Sequence, residues 1–227
     1  MVAVQQRQSH LPSVLLNTIG FVSNLYGLYC VNFVYDNPYA VGFGGHFQYL
    51  TIMGLTTATL AFTLKLLRFL VPGILPVTYE VILYLAGPME GMISLVYWAM
   101  FLKDPYLLTP KDIPPIPMYV DCALHLNPAV LLWVDFLIFN AEFKRSLRHV
   151  VAIYGFTTFY YVWSWFCQSQ NGYWPYPFLN DFSSAGRLAF YLGCGTLSWI
   201  IYESGAMIHS KWHAKKKSKS ALKNKKM

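Results

Sequence analysis

The chain has 227 residues, of which 56% are hydrophobic and only 12% charged, and its mean hydropathy is +0.38. A surface that meets water on every side cannot be this apolar, so a polytopic membrane protein is the expected class. The formal net charge of +7 is carried largely by the lysine-rich C-terminus, which excludes a basic nucleic-acid face spread over a folded domain.

Six apolar windows of about the length that a bilayer requires follow one another along the chain. They predict helices over about residues 13–34, 47–70, 77–101, 119–139, 149–167 and 186–208. The first lacks a short apolar region with a small-residue cleavage site and reads as a retained helix. The intervening segments are short and rich in helix breakers: Pro72 and Pro76, then DPYLLTPKDIPPIP, then QNGYWPYPFLNDFSS. The expected architecture is an all-α, six-helix transmembrane bundle in a single domain over residues 1–210, with a basic cytosolic tail at 211–227 predicted to be disordered.

Orientation follows from lysine and arginine. With a cytosolic N-terminus, 14 of the 17 basic residues fall on the inside, leaving Lys103, Lys111 and Arg187 outside. The positive-inside rule selects this arrangement, with both termini cytosolic. The tail holds eight of those lysines and no acidic residue, so anionic membrane lipid attracts it, while no nucleic-acid partner is expected. Its end, KNKKM, places Lys225 and Lys223 third and fifth from the C-terminus. That spacing matches the dilysine signal read by the retrieval coat, and it predicts an endoplasmic-reticulum membrane protein.

Ionisable groups inside spans are costly and are read one by one. Glu80, Asp135 and Glu203 lie toward the cytosolic ends of their helices, where pairing with Lys65, Lys144 or Lys211 would suffice. His125 enters from the outer face to about 9 Å and Thr51 to about 7 Å, at 1.5 Å per residue, so the two share a depth. A hydroxyl and an imidazole so placed could carry acyl transfer, the base removing the proton of a weak nucleophile. They could equally bond their own helix and link neighbouring helices. Asp121, four residues before His125, lies on the same helical face and could orient the ring. The cysteines Cys30, Cys122, Cys167 and Cys194 stand singly, and there is no HExxH spacing, glycine-rich phosphate loop or dinucleotide fingerprint. No metal or cofactor is therefore expected, and zinc held by Asp121, His125 and His46 ranks low.

Three blocks then carry a resemblance. The run Gly44-Gly45-His46-Phe47-Gln48-Tyr49-Leu50-Thr51, the block Asp121-Cys122-Ala123-Leu124-His125, and the loop Gly172-Tyr173-Trp174-Pro175-Tyr176-Pro177-Phe178-Leu179 with Ala185-Gly186-Arg187 occur in one order on matching spans. Together they resemble the androgen-induced and androgen-dependent TFPI-regulating protein family of small six-helix membrane hydrolases. The resemblance implies a threonine hydrolase that cleaves fatty acid esters of hydroxy fatty acids, with Thr51 as nucleophile and His125 as base. His46 is not carried over, and the orienting role of Asp121 rests on its spacing alone.

On this reading the lipid ester is the partner, its chains lying among Phe47, Tyr49, Tyr97 and Trp98, with Asn127, Arg187 or backbone N–H groups available to stabilise an oxyanion. Two rivals remain at this stage. A non-catalytic lipid-binding or scaffold protein would use Thr51 and His125 only to join helices, and a small transporter would use Glu90, near mid-membrane, as its coupling carboxylate.

Overall fold

A computed structural model describes residues 2–140 and 143–224, with side chains described from Leu11 to Ala214 outside the same gap. The described residues form seven α-helices and no strand: α1 Val2–Phe33, α2 Leu50–Leu70, α3 Pro76–Lys103, α4 Met118–His125, α5 Asn127–Phe139, α6 Leu147–Asn171 and α7 Ser184–Asn224. Each stop has a local cause. Pro76 opens α3, where its missing N–H costs nothing. Ser146 caps α6 by accepting from the Arg148 N–H at 3.2 Å. Gly172 closes that helix in the left-handed conformation, φ 80°.

The fourth expected helix is broken. Pro128 cannot donate to the Leu124 carbonyl and its ring crowds that group, so α4 and α5 meet at a bend of 45° around Leu126. Other boundaries move as well: α1 begins at Val2 and not near 13, and α6 runs on to Asn171. The second helix begins at Leu50, because residues Gly45–Gln48 form a 3₁₀ turn instead. The last helix runs on to Asn224, so residues 211–224, expected to be disordered, continue its hydrogen-bonded ladder through lysines and an alanine that favour helix. Lys225 and Lys226 lie outside the described residues.

Counting α4 and α5 as one, the described residues form six long helical segments, with α3 touching α2, α5, α6 and α7. Glycines set the closest approaches: a Cβ on Gly20 would stand 2.4 Å from the Phe62 ring, and one on Gly205 2.3 Å from Trp133. Three helices, α1 from Leu11, α2 and α3, are long and apolar enough to cross a membrane, and the bent α4–α5 pair makes a fourth. On α1 the side chains of Leu15, Ile19, Val22 and Leu25 form an apolar stripe that is about half exposed. Both α6 and α7 have the length, but their Tyr, Trp, Gln and charged residues lower their hydropathy.

One end of the bundle gathers the ionic groups. Asp135 is paired with Lys65 and also accepts from Ser13 Oγ at 3.1 Å and Asn17 Nδ2 at 2.7 Å. Glu80 meets His149 at 2.9 Å, and Glu203 meets Arg145 at 3.2 Å, in place of the expected Lys144 or Lys211. Ser13 near the start of the chain and His209, bonded to the Asn140 carbonyl, near its end both lie here.

Candidate active site

At the opposite end, the segment before α2 is fastened to α6 and to the loop that follows it. Asn171 accepts from the Phe43 N–H at 2.7 Å and donates to its carbonyl at 3.0 Å. Trp163 Nε1 donates to the Phe47 carbonyl at 2.9 Å, and the Tyr160 hydroxyl to that of Gln48 at 3.0 Å. The turn between these bonds uses two consecutive left-handed residues, Gly44 at φ 84° and Gly45 at φ 54°. A side chain on Gly44 would also strike Cys167 Sγ at 2.8 Å. This clamp fixes the start of α2 and therefore Thr51, its second residue.

Thr51 Oγ1 lies 3.2 Å from His125 Nε2, and His125 Nδ1 lies 2.7 Å from Asp121 Oδ1. The ring and its carboxyl partner are buried, His125 at 7% and Asp121 at 2% exposure, while Thr51 is half-buried. A carboxylate only accepts, so the Nδ1 proton points at Asp121 and the Nε2 lone pair faces the Thr51 hydroxyl. Thr51 and His125 are thus in contact, although Thr51 is the second residue of α2 and not about 7 Å inside it, and the four-residue spacing of Asp121 and His125 places the two side chains on one face of α4.

Two tyrosines complete the surroundings. Tyr97 of α3 lies flat on the imidazole, with ring centroids 3.4 Å apart and planes 3° from parallel, and its hydroxyl faces Asp121. Tyr176, in the loop between α6 and α7, faces the Thr51 hydroxyl and the backbone N–H groups of Leu50 and Thr51. Its ring is held edge-on by Tyr49 at 5.8 Å and stacks on Phe178 at 6.0 Å. Neither role was read from the sequence: Tyr97 stood there as a wall of the lipid site and Tyr176 as one letter of a motif. The signal available for Tyr176 was its place in the loop block that accompanied the Thr51 block.

Below Thr51 opens an apolar chamber of about 830 Å³ of space not filled by atoms, part of it open to the surroundings. Thr51, Tyr97 and Tyr176 line one end, and Leu85, Ile153 and Ser198 the other. From Tyr97 to Leu85 along α3 is twelve residues, or about 18 Å at the helical rise. That is close to half of the roughly 30 Å hydrocarbon core, the depth that one lipid acyl chain fills.

Other expected members lie elsewhere. Of the four aromatics expected around the lipid, only Tyr97 lines this chamber; Phe47 is 51% exposed, Tyr49 packs on Tyr176, and Trp98 packs on Tyr97 and Phe101. Asn127 donates to Ser23 Oγ at 3.1 Å, and Arg187 donates to the Leu179 carbonyl at 2.8 Å while covering Trp174. Each is engaged by its own neighbours. His46 lines a shallow groove with Asp36 and Asn37, where burial lowers its pKa. Among the described residues, no three His, Cys, Asp or Glu side chains converge as metal ligands would. Glu90 is 1% exposed with no hydrogen-bond partner on either carboxyl oxygen, and a Cβ on Gly54 would stand 2.9 Å from it.

Residues 13–210 match the model of a family described as FAR-17a/AIG1-like protein. A UPF0641 membrane protein of Schizosaccharomyces pombe is 27% identical over 205 residues, covering 89% of this chain and 92% of the relative. The androgen-dependent TFPI-regulating protein of Mesocricetus auratus is 29% identical over 136 residues, 57% of each chain. The human androgen-induced gene 1 protein is 21% identical over 127 residues, covering 56% of this chain and 53% of its own. No solved structure matches.

Proposed function

The chain belongs to the FAR-17a/AIG1-like family, and from that premise we propose that it is a membrane-embedded lipid ester hydrolase acting on fatty acid esters of hydroxy fatty acids. One observation carries the reading: Thr51, His125 and Asp121 stand in line at 3.2 and 2.7 Å, at the end of an apolar chamber one acyl chain deep. Idle packing groups have no reason to form a hydroxyl, imidazole and carboxyl relay beside an empty apolar space.

In the proposed reaction the acyl chain occupies the chamber, and the ester carbonyl rests beside Thr51. The hydroxy-acid half stays outside, since the chamber's depth suits a single chain. Thr51 Oγ1 attacks the carbonyl carbon as its proton passes to His125 Nε2. Collapse of the tetrahedral intermediate breaks the ester C–O bond, and the departing alkoxide takes that proton. Water, deprotonated by His125, then attacks the acyl-Thr51 ester, and Thr51 leaves with the proton restored.

The deciding experiment compares Thr51→Val with the wild-type protein at equal expression, on a fatty acid ester of a hydroxy fatty acid. Valine keeps the shape and removes the oxygen, so turnover should vanish. Hydrolysis at the wild-type rate would make the hydroxyl structural and the protein a lipid binder.

We further propose that all six passes cross the membrane with both termini cytosolic, in accord with the 14 to 3 division of basic residues and with Ser13 and His209 sharing one end of the bundle. Protection of either terminal tag from protease in sealed microsomes would contradict this. Residence in the endoplasmic reticulum, through retrieval-coat recognition of Lys223 and Lys225, is proposed on the sequence of the tail. An unchanged distribution after both are replaced by serine would remove that signal.

A further inference from the structure

The hydrolase reading leaves one requirement open, a group that stabilises the negative charge developing on the carbonyl oxygen. Asn127 and Arg187 are bonded elsewhere. The start of α2 offers a better source. In that helix the Ile52 and Met53 N–H groups both turn back to the Tyr49 carbonyl, whereas the N–H groups of Leu50 and Thr51, in the first turn, have no intrahelical acceptor. Both face the Tyr176 hydroxyl, which also faces Thr51 Oγ1.

We propose that Tyr176, which lines the chamber beside Thr51, is a catalytic residue, its O–H donating to the oxyanion of the tetrahedral intermediate at the open first turn of α2. The inference rests on the hydrolase reading and adds its missing electrophile. When Thr51 Oγ1 bonds to the carbonyl carbon, the carbonyl π pair moves onto oxygen. Tyr176 hydrogen-bonds that oxygen without surrendering its proton, and the pair returns to carbon when the alkoxide leaves. The positive end of the α2 dipole beside the phenol strengthens it as a donor. Burial acts the other way and pushes its pKa up, so the proton stays in place for donation at neutral pH. The ring cannot swing freely, being held by Tyr49 and Phe178, and a donor fixed in place before reaction is what makes such a contact effective.

The test uses the full chain, purified in lipid nanodiscs, with an ester substrate and its thionoester, in which sulfur replaces the carbonyl oxygen and accepts hydrogen bonds poorly. Wild type should strongly prefer the ester. Tyr176→Phe, which loses only the hydroxyl, should lower kcat on the ester by about a hundredfold with little change in KM, and should shrink the ester-to-thionoester ratio. A structural role would move neither the ratio nor the split between kcat and KM in that way. Wild-type kcat and ratio in Tyr176→Phe, with Thr51→Val inactive, would overturn the role of Tyr176 and leave the hydrolase intact. Should the variant fail to fold, the wild-type protein still answers, since equal rates on the two substrates would overturn the inference. If wild type turns over neither substrate and does not label at Thr51 with a fluorophosphonate, the hydrolase reading itself falls and takes this one with it.

Discussion

Thr51 occupies a position that gives its hydroxyl two kinds of neighbour at once. As the second residue of α2 it lies beside unpaired backbone N–H groups, and across the bundle it meets His125 Nε2 at 3.2 Å. The other threonines of this helix behave differently: the hydroxyls of Thr56, Thr57, Thr59 and Thr63 each donate to the carbonyl four residues back. Thr51 cannot, because the residue four before it precedes the helix. Its hydroxyl is therefore available to a partner on another helix. Thr51→Ser should retain part of the turnover, while His125→Ala should cost about a thousandfold or more, as Thr51→Val does, and the two losses should not add in the double variant. Asp121→Asn should lower kcat by roughly a hundredfold, because an amide can present its N–H to Nδ1 and favour the wrong tautomer. Single-turnover kinetics on the four single variants and the double variant checks these statements.

At the scale of the element, the break between α4 and α5 is the feature on which His125 depends. Pro128 bends the passage by 45° just after the imidazole, so the short α4 can aim His125 at the start of α2 while α5 packs against α1 and α3. Pro128→Ala restores an N–H for the Leu124 carbonyl and should straighten the helix. Since a displacement of about 1 Å at a catalytic group can cost a hundredfold, kcat should fall roughly tenfold to a hundredfold with no loss of thermal stability. At the other end of the bundle Lys65 and Asp135 form a buried pair, Asp135 being 1% exposed. Lys65→Met leaves that carboxylate with only Ser13 and Asn17, and should destabilise the protein by about 3–5 kcal/mol. The double change Lys65→Met with Asp135→Leu should recover most of it. Thermal unfolding in detergent measures the effect, and the folded fraction should keep its specific activity, because Lys65 lies about 21 Å along α2 from Thr51.

For the whole molecule, the bundle separates two environments. Ionic groups gather at the end shared by Ser13 and His209, and the relay with its apolar chamber occupies the other. The chamber's far end is set by Ser198, Leu85 and Ile153, so its depth should select acyl length. Ser198→Leu raises that floor. It should reduce kcat/KM for long-chain esters relative to short-chain ones by about tenfold or more, on the scale that one or a few methylenes command in an apolar pocket. A series of esters differing only in acyl length would show it, and an unchanged profile would place the acyl chain elsewhere.

The apolar composition and the window lengths sufficed to expect an all-helical membrane protein, because a helix satisfies its own backbone and its length is a local property; of the six expected spans, α1, α2, α3 and the bent α4–α5 pair have the length and apolarity to cross. Asp121 and His125 were legible as a pair because four-residue spacing puts two side chains on one face, whereas the residue count that gave Thr51 the same depth as His125 began α2 before its true start at Leu50. Rotation about each helix axis and the choice of neighbours are set only when side chains from distant segments pack, as Gly20 does against Phe62 and Gly205 against Trp133. The tertiary structure alone therefore brought Thr51 and His125 to a 3.2 Å contact, laid Tyr97 on the imidazole and brought Tyr176 to the start of α2. It also bonded Asn127 to Ser23 and Arg187 to the Leu179 carbonyl, since polar side chains bond to whatever donors and acceptors the packed bundle brings beside them.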